Sequence, residues 1–519
     1  MSKDAAPGEA TTSATAKSPA EPLRGEARDV PLAMRAMPGE LATYMGQWRR
    51  VFGRLETYEN ACSYVLGLLS DLPRKNGEKM AEAIEGIANT EAVHRLLALS
   101  PWPAEDVDRL RVQHAVANGT SREQDGVLIL DEVGQLKQGR RSVGVKRQYL
   151  GSEGKTVNGQ VTVTAHYCDA RFDWPVTGRL YLPQEWAEDT QRRTMAGIPE
   201  EITFATKAEI ALALVRRAVE WGVPFRWVLA DAGYDDLDFL LALSAMGLWF
   251  CIGVKCDFMV RVPEEIAGWV PPPPARRGHP RKHVDPRSLP SVYRVDELLP
   301  GLPDPLWRPV TYRQGTAGLL TKEFVALRVQ AATTKRIGPD VWLLFERPLP
   351  GHGHEIKHYV LSAERDLCLD EMAQMAHRRP VIERFSYENG KSDLGLRDYQ
   401  GRSWRGFHHH LALVMVALTW LSLQRQPLPS NEPPSPPRPT TARASVPASV
   451  EFSLPTRDQH RLRVSVAGLA DGALPIPRQL WESVQEVRRR LVAWCAATVH
   501  LTLAQRGTLP RRPTFVPLC

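Results

Sequence analysis

The chain has 519 residues, long enough for roughly two to four domains with their own cores. Hydrophobic residues make up 43% and charged residues 24%, which excludes a fibrous or wholly disordered polypeptide. A net charge of +7 and a pI near 9.0 suit a polyanionic partner without requiring one.

Residues 1–38 are rich in Ala, Pro, Ser, Thr and Glu, and a disordered tail is expected there. They hold no long apolar stretch, so no secretory signal is expected. The seven cysteines are odd in number and form no Cys-x-x-Cys pair, as in a reduced, cytoplasmic chain. Between 39 and 120 the apolar spacing is helical, at Tyr64, Val65, Leu66, Leu68 and Leu69 and again at Ala92, Val93, Leu96, Leu97 and Leu99. Arg49, Arg50, Arg54, Arg74, Lys75, Lys79 and Arg95 make this segment basic. It reads either as a small all-α DNA-binding domain or as helices with a solvated charged face.

Strand patterns begin at 126. Val127–Leu130, Ser142–Tyr149 and Gln160–Cys168 come first, with a short piece at Arg179–Leu182. An amphipathic helix at Lys207–Trp221, a strand at Trp227–Ala230, a helix at Asp236–Met246 and a strand at Leu248–Val254 follow. This order is that of the first part of an RNase H-like core, over 121–254, although many α/β proteins share parts of it. Residues 255–365 read as a β-rich insertion with strands at Phe324–Val329 and Val341–Phe345, and a basic loop at Arg276, Arg277, Arg281 and Lys282 that could track phosphates. Trp269 and Trp307 also fall in it, with burial the default for both.

The last part of the core is expected over 366–426. It includes an apolar run at Leu411–Leu423, about 13 residues, too short for the roughly 20 of a membrane span and so a buried helix. His408, His409 and His410 precede it. Adjacent helical positions diverge, so contacts with carbonyls or phosphates are expected of them rather than one metal. A Pro/Ser-rich linker at 427–455 and a C-terminal helical region at 456–519, with Leu480, Val484, Val487 and Leu491 in helical spacing, complete the chain.

Three acidic residues carry the chemistry. Asp131 closes the run Val127–Leu130, Asp231 closes Trp227–Ala230, and Glu383 lies in Arg378-Arg379-Pro380-Val381-Ile382-Glu383, which reads as a helix start. Singly, each has a plain reading as a turn, a cap or a solvated residue. Together, two carboxylates at strand ends and one on a later helix can meet at one sheet edge. There they would bind two hard cations, magnesium with manganese as a substitute, and such a pair cuts and joins phosphodiesters.

The surrounding strings resemble the DDE transposases of bacterial insertion sequences. They are Leu130-Asp131-Glu132-Val133-Gly134-Gln135-Leu136-Lys137, then Ser142 to Tyr149 with Gly154-Lys155, then Arg179-Leu180-Tyr181-Leu182-Pro183 with Trp186. Ala230-Asp231-Ala232-Gly233-Tyr234 follows, and the last block is Glu383 with Leu394-Gly395-Leu396, Tyr399 and Arg402-Ser403-Trp404-Arg405-Gly406. The resemblance spans about residues 40–425. It implies an α/β fold with an RNase H-like catalytic core, a β-rich insertion and a small all-α domain in front.

A related group carries the signature Tyr-x2-Arg-x3-Glu-x6-Lys, whose basic residues contact DNA phosphates. Arg379 stands where that group has Arg. Ala376 replaces its Tyr, and Lys391 falls one residue late, a shift of about 100° on an ideal helix. The resemblance further implies binding of an element's terminal inverted repeats, cleavage, and joining of the 3′-hydroxyls to target DNA. A homodimeric synaptic complex in the bacterial cytoplasm, associated with the nucleoid, goes with that activity, and no membrane does. The rival readings are a DNA-binding protein of transposase descent without catalysis, and a metal-dependent nuclease of the same fold.

Overall fold

The computed structural model describes residues 39–84, 87–120, 126–169, 171–262, 292–302, 304–315, 318–379 and 394–424, with the backbone of 449–453 and 461–465. The expected tail, the basic loop 276–287, Trp269, Glu383, Lys391 and the helix near 480–491 lie outside the described residues.

The described chain is a mixed α/β structure built on one twelve-stranded sheet. Its strands are β1 (Val127–Leu136), β2 (Lys146–Leu150), β3 (Lys155–Cys168), β4 (Asp173–Leu180), β5 (Trp227–Ala230), β6 (Trp249–Val254), β7 (Met259–Arg261), β8 (Val292–Arg294), β9 (Arg308–Gly315), β10 (Gly318–Ala332), β11 (Ile337–Arg347) and β12 (Lys357–Ser362). The order is β2-β3-β1-β5-β6-β12-β11-β10-β7-β8, with β4 on β3 and β9 on β10. β1, β5 and β6 run parallel, and every other pair is antiparallel. The strands of the 255–365 segment thus extend the sheet, because β12 pairs directly with β6. A separate pairing joins 449–453 to 461–465.

β5 is Trp-Val-Leu-Ala with every residue buried, the uninterrupted apolar pattern of a parallel strand covered on both faces. Six helices matter most: α1 (Leu55–Leu69), α2 (Ala104–Asn118), α3 (Lys207–Glu220), α4 (Leu237–Ala245), α5 (Leu369–Ala376) and α6 (Trp404–Leu423). A capping box between Thr206 and Glu209 opens α3, whose Ile210, Ala211, Leu214, Val215 and Ala218 form one buried stripe. Asp236 caps α4 through hydrogen bonds from the Asp238 and Phe239 amides.

α6 is the only helix among the described residues long and apolar enough to cross a membrane, but 89% of its apolar window is buried within the protein. It packs on β4, α2 and α1, so the helices of 39–118 share a core with the helix of 404–423. Arg111 of α2, with no exposed surface, pins this junction. Its guanidinium donates to Asp108 Oδ1 at 2.9 Å, to the carbonyls of Pro175 and Val176, and to Thr419 Oγ1. Lys75, counted above among the basic residues, is also buried, with Nζ donating to the carbonyls of Ser70 and Leu72.

The three histidines at the head of α6 diverge as their spacing predicts. His408 Nδ1 donates to Trp404 O, His409 Nε2 to Trp102 O, and His410 Nε2 to Leu396 O while its Nδ1 accepts from Tyr64 OH. Burial pushes all three imidazoles down to about 4, so they are neutral structural groups at pH 7.

Candidate active site

The parallel ladder between β1 and β5 ends where Ile129 faces Leu229. Two residues farther on, Asp131 and Asp231 stand at equivalent positions on the two strands. Each backbone stays held by its outer neighbour, Asp131 opposite Thr164 of β3 and Ala230 opposite Ile252 of β6. The inner ladder has opened, leaving a gap at the carboxyl ends of parallel strands, where α/β sheets place their ligands.

Local structure fixes the Asp131 backbone and the Asp231 carboxylate. Thr164 Oγ1 donates to the Asp131 carbonyl at 3.1 Å. Asp231 begins a tight turn, with Oδ1 accepting from the Gly233 amide at 2.9 Å. β6 runs so close below that a Cβ on Gly253 would lie 3.2 Å from the Ala232 nitrogen. A side chain there would need the Asp231 turn to give by a few tenths of an ångström.

Arg379 follows α5 and reaches both acids. Its Nη1 lies 3.4 Å from Asp131 Oδ1 and 4.0 Å from Asp231 Oδ2. Asp231 and Arg379 line one cleft with Gly253, Tyr359 and His377. The approach to Arg379 is anchored in turn. His377 stacks on Tyr312 at 3.7 Å and donates through Nε2 to Glu346 Oε2 at 2.8 Å. Glu346, 1% exposed on β11, also accepts from Lys322 and from Tyr359 OH. Burial alone would raise its pKa, but His377 and Lys322 outweigh that and hold it at about 2.

Three contributors at this edge escaped the sequence reading. Glu132 points to the face opposite Asp131 and pairs with Lys207 at 2.6 Å, binding β1 to the start of α3. Strand alternation carries that signal. Tyr234 is fully buried, and its hydroxyl has no hydrogen-bond partner. Burial, then the negative charges of Glu132, Asp231 and Asp131, raise its pKa far above the usual phenol value, so it stays neutral near the acids. The Glu346–His377 pair left no local pattern, because its partners are 31 residues apart.

Two carboxylates sharing one guanidinium mark a locus that takes positive charge, and hard oxygen donors suit a divalent cation. Among the described residues no group of three candidate ligands occurs. The expected third ligand Glu383, the expected phosphate contact Lys391, and Arg276, Arg277, Arg281 and Lys282 lie outside them. Trp307 is buried under the Arg347 guanidinium, 4.2 Å above its ring.

Comparison with known proteins gives the family. A probable transposase for insertion sequence element IS701 from Microchaete diplosiphon is 30% identical over 219 residues, 42% of this chain and 54% of that protein. The chain therefore spans about half the length of this relative. Residues 50–319, just over half the chain, match the family described as DDE superfamily endonuclease, whose members generally use divalent metals. The matched region holds Asp131 and Asp231 and ends before Arg379. The chain belongs to the DDE superfamily endonucleases.

Proposed function

We propose that the protein is a DNA transposase that binds the ends of its element, cleaves them and joins the 3′-hydroxyls to target DNA. The observation that carries this reading is the convergence of Asp131 and Asp231, from neighbouring parallel strands, on Arg379 Nη1. The strand order β4-β3-β1-β5-β6, antiparallel at β3 and parallel across β1, β5 and β6, supports an RNase H-like core. The β7–β12 strands are then its insertion and the 39–120 helices its leading domain.

In this reading Asp131, Asp231 and Glu383 hold two magnesium ions. Such ions, when bound, lower the pKa of the attacking water or 3′-hydroxyl and offset charge on the leaving oxygen. Arg379 turns from the two acids to the scissile phosphate and orients it. Lys391 and the cations Arg276, Arg277, Arg281 and Lys282 hold further phosphates. Tyr234 keeps its proton near the acids. Two chains pair to hold two ends, in the cytoplasm at the nucleoid.

The test is a cleavage and joining assay with purified protein, labelled DNA carrying the element ends, and magnesium. Joined products that vanish in Asp231→Asn support the proposal. Cleavage without joining supports a nuclease, and binding without any metal-dependent product supports a non-catalytic DNA-binding protein.

A further inference from the structure

β1 does not stop at its carboxylate. It runs five residues past Asp131 to Leu136, about 17 Å along the strand. β3 runs nine residues past Thr164, the partner of Asp131, to Lys155, about 30 Å. The β2–β3 hairpin thus forms an arm leaving the sheet at the edge that holds Asp131 and Asp231. The segment that opens α6 is fastened to its base. Gln135 Nε2 donates to Arg397 O, Lys137 Nζ donates to Tyr399 O, and the Val143 amide donates to Arg402 O at 3.2 Å.

Six exposed cations crowd this arm and its fastening: Arg140, Arg141, Arg147, Lys155, Arg402 and Arg405. None of the six pairs with a carboxylate among the described residues. Nearby carboxylates are engaged elsewhere, Glu185 with Lys146 and Asp398 with the Lys75 amide, which leaves Glu153 at the hairpin tip. A solvated surface ordinarily interleaves its signs, and this one does not. Tyr149, 60% exposed, stands on the same strand face as Arg147, where its hydroxyl is a further donor. Ser403 caps α6 between Arg402 and Arg405, so free amides at the helix start add to the positive field.

We infer that this arm and the head of α6 form a binding surface for double-stranded DNA, seating the duplex beside the bond to be cut. The inference rests on the transposase reading and adds a location to it. At 3.4 Å per base pair, the 17–30 Å between Asp131 and the arm places its phosphate contacts about five to nine base pairs from the scissile bond. None of these six cations was among the DNA contacts expected from the sequence. The cations are scattered over 266 positions and are brought together by the bonds of Gln135, Lys137 and Val143 to the 397–402 segment.

The experiment measures binding of the full chain to element-end duplex as salt is varied, for the wild type and for R140Q/R141Q/R147Q/R402Q. Removing four phosphate contacts is expected to flatten the slope of log K against log salt by about 3 to 4. The matching Arg→Lys variant, which keeps the charge, is expected to retain the wild-type slope. R216Q/K335Q, which neutralises two exposed cations elsewhere, is expected to retain it too. Phosphate-ethylation interference should lose its signals five to nine base pairs from the cut in the quadruple Gln variant only. An unchanged slope in that variant, or an equal loss in R216Q/K335Q, overturns the inference. So does tighter binding to single strands than to duplex. Failure of the wild type to cut its ends overturns the transposase reading itself. A wild type that cuts, with a quadruple variant of unchanged slope, overturns the arm alone.

Discussion

The Glu346 carboxylate accepts a 2.8 Å hydrogen bond from His377, two residues before Arg379, and so ties β11 to the guanidinium between Asp131 and Asp231. Glu346 is almost wholly buried, and its donors Lys322 and His377 were placed for a negative charge. Glu346→Gln leaves them without that charge and is expected to cost about 3 kcal/mol, read from urea unfolding. A midpoint unchanged from the wild type would show that the pair contributes nothing. The same variant should slow cleavage beyond its effect on stability, by loosening Arg379.

Arg111 is the corresponding fastening on the other side of the molecule. It meets Asp108, two backbone carbonyls and Thr419, with no access to water. Arg111→Ala leaves Asp108 as a buried unpaired charge and is expected to destabilise by about 3 to 5 kcal/mol. Exposed Arg109, which meets Asp106 at 2.9 Å, should cost less than about 1 kcal/mol when replaced by Ala. Equal costs for the two would contradict the role given to Arg111.

Acid should weaken the fold in a defined window. In the unfolded chain His408, His409 and His410 take up protons below about 6.5, while in the folded chain burial delays this to about 4. The unfolded state then binds more protons between those values, so stability is full above pH 6.5 and falls as pH drops toward 4. Glu346 adds a second loss lower down, as pH falls from 4.5 through about 2. Urea midpoints at pH 7, 5.5 and 4.5 should decline. His409→Gln should flatten the decline, and a constant midpoint across that range would refute the assignment.

Gly253 tests how tightly the Asp231 turn is held. A valine there drives a Cβ to 3.2 Å from the Ala232 nitrogen. The expected cost is about 1 to 3 kcal/mol, with cleavage lowered about 100-fold once Asp231 is displaced. Wild-type cleavage by Gly253→Val would show that the turn has slack.

What the sequence revealed follows physical lines. Trp227–Ala230 was legible to the residue because a fully buried parallel strand is a bare apolar run ended by a polar group. The helix expected at Lys207–Trp221 was legible through its apolar stripe and ends one residue earlier, at Glu220. Asp131 and Asp231 stood out for the same reason as the strands they close. The strand expected from Ser142 begins only at Lys146, because Gly144 takes a φ of +70° that no strand holds. β4 reaches back to Asp173 rather than starting near Arg179, and Pro175 within it hid the strand. The ladder shifts register between Ala165 and His166, where that proline sits. β1 continues past Asp131 through Gly134 and Gln135, residues with weak strand preference, because its backbone stays paired with β3 as far as Leu136 opposite Gly159. The burial of Lys75 likewise depends on partners that no local pattern encodes.

The central claim is that Asp131 and Asp231 act as one site, and the most direct measurement is the rate of end cleavage for Asp131→Asn, Asp231→Asn and the double variant in magnesium. Residues that act as a unit are not additive, so each single change should lower the rate by about 1,000-fold or more, and the double should fall little further. Retention of cleavage within about tenfold of wild type by either single variant, or losses that multiply in the double, would contradict the shared site.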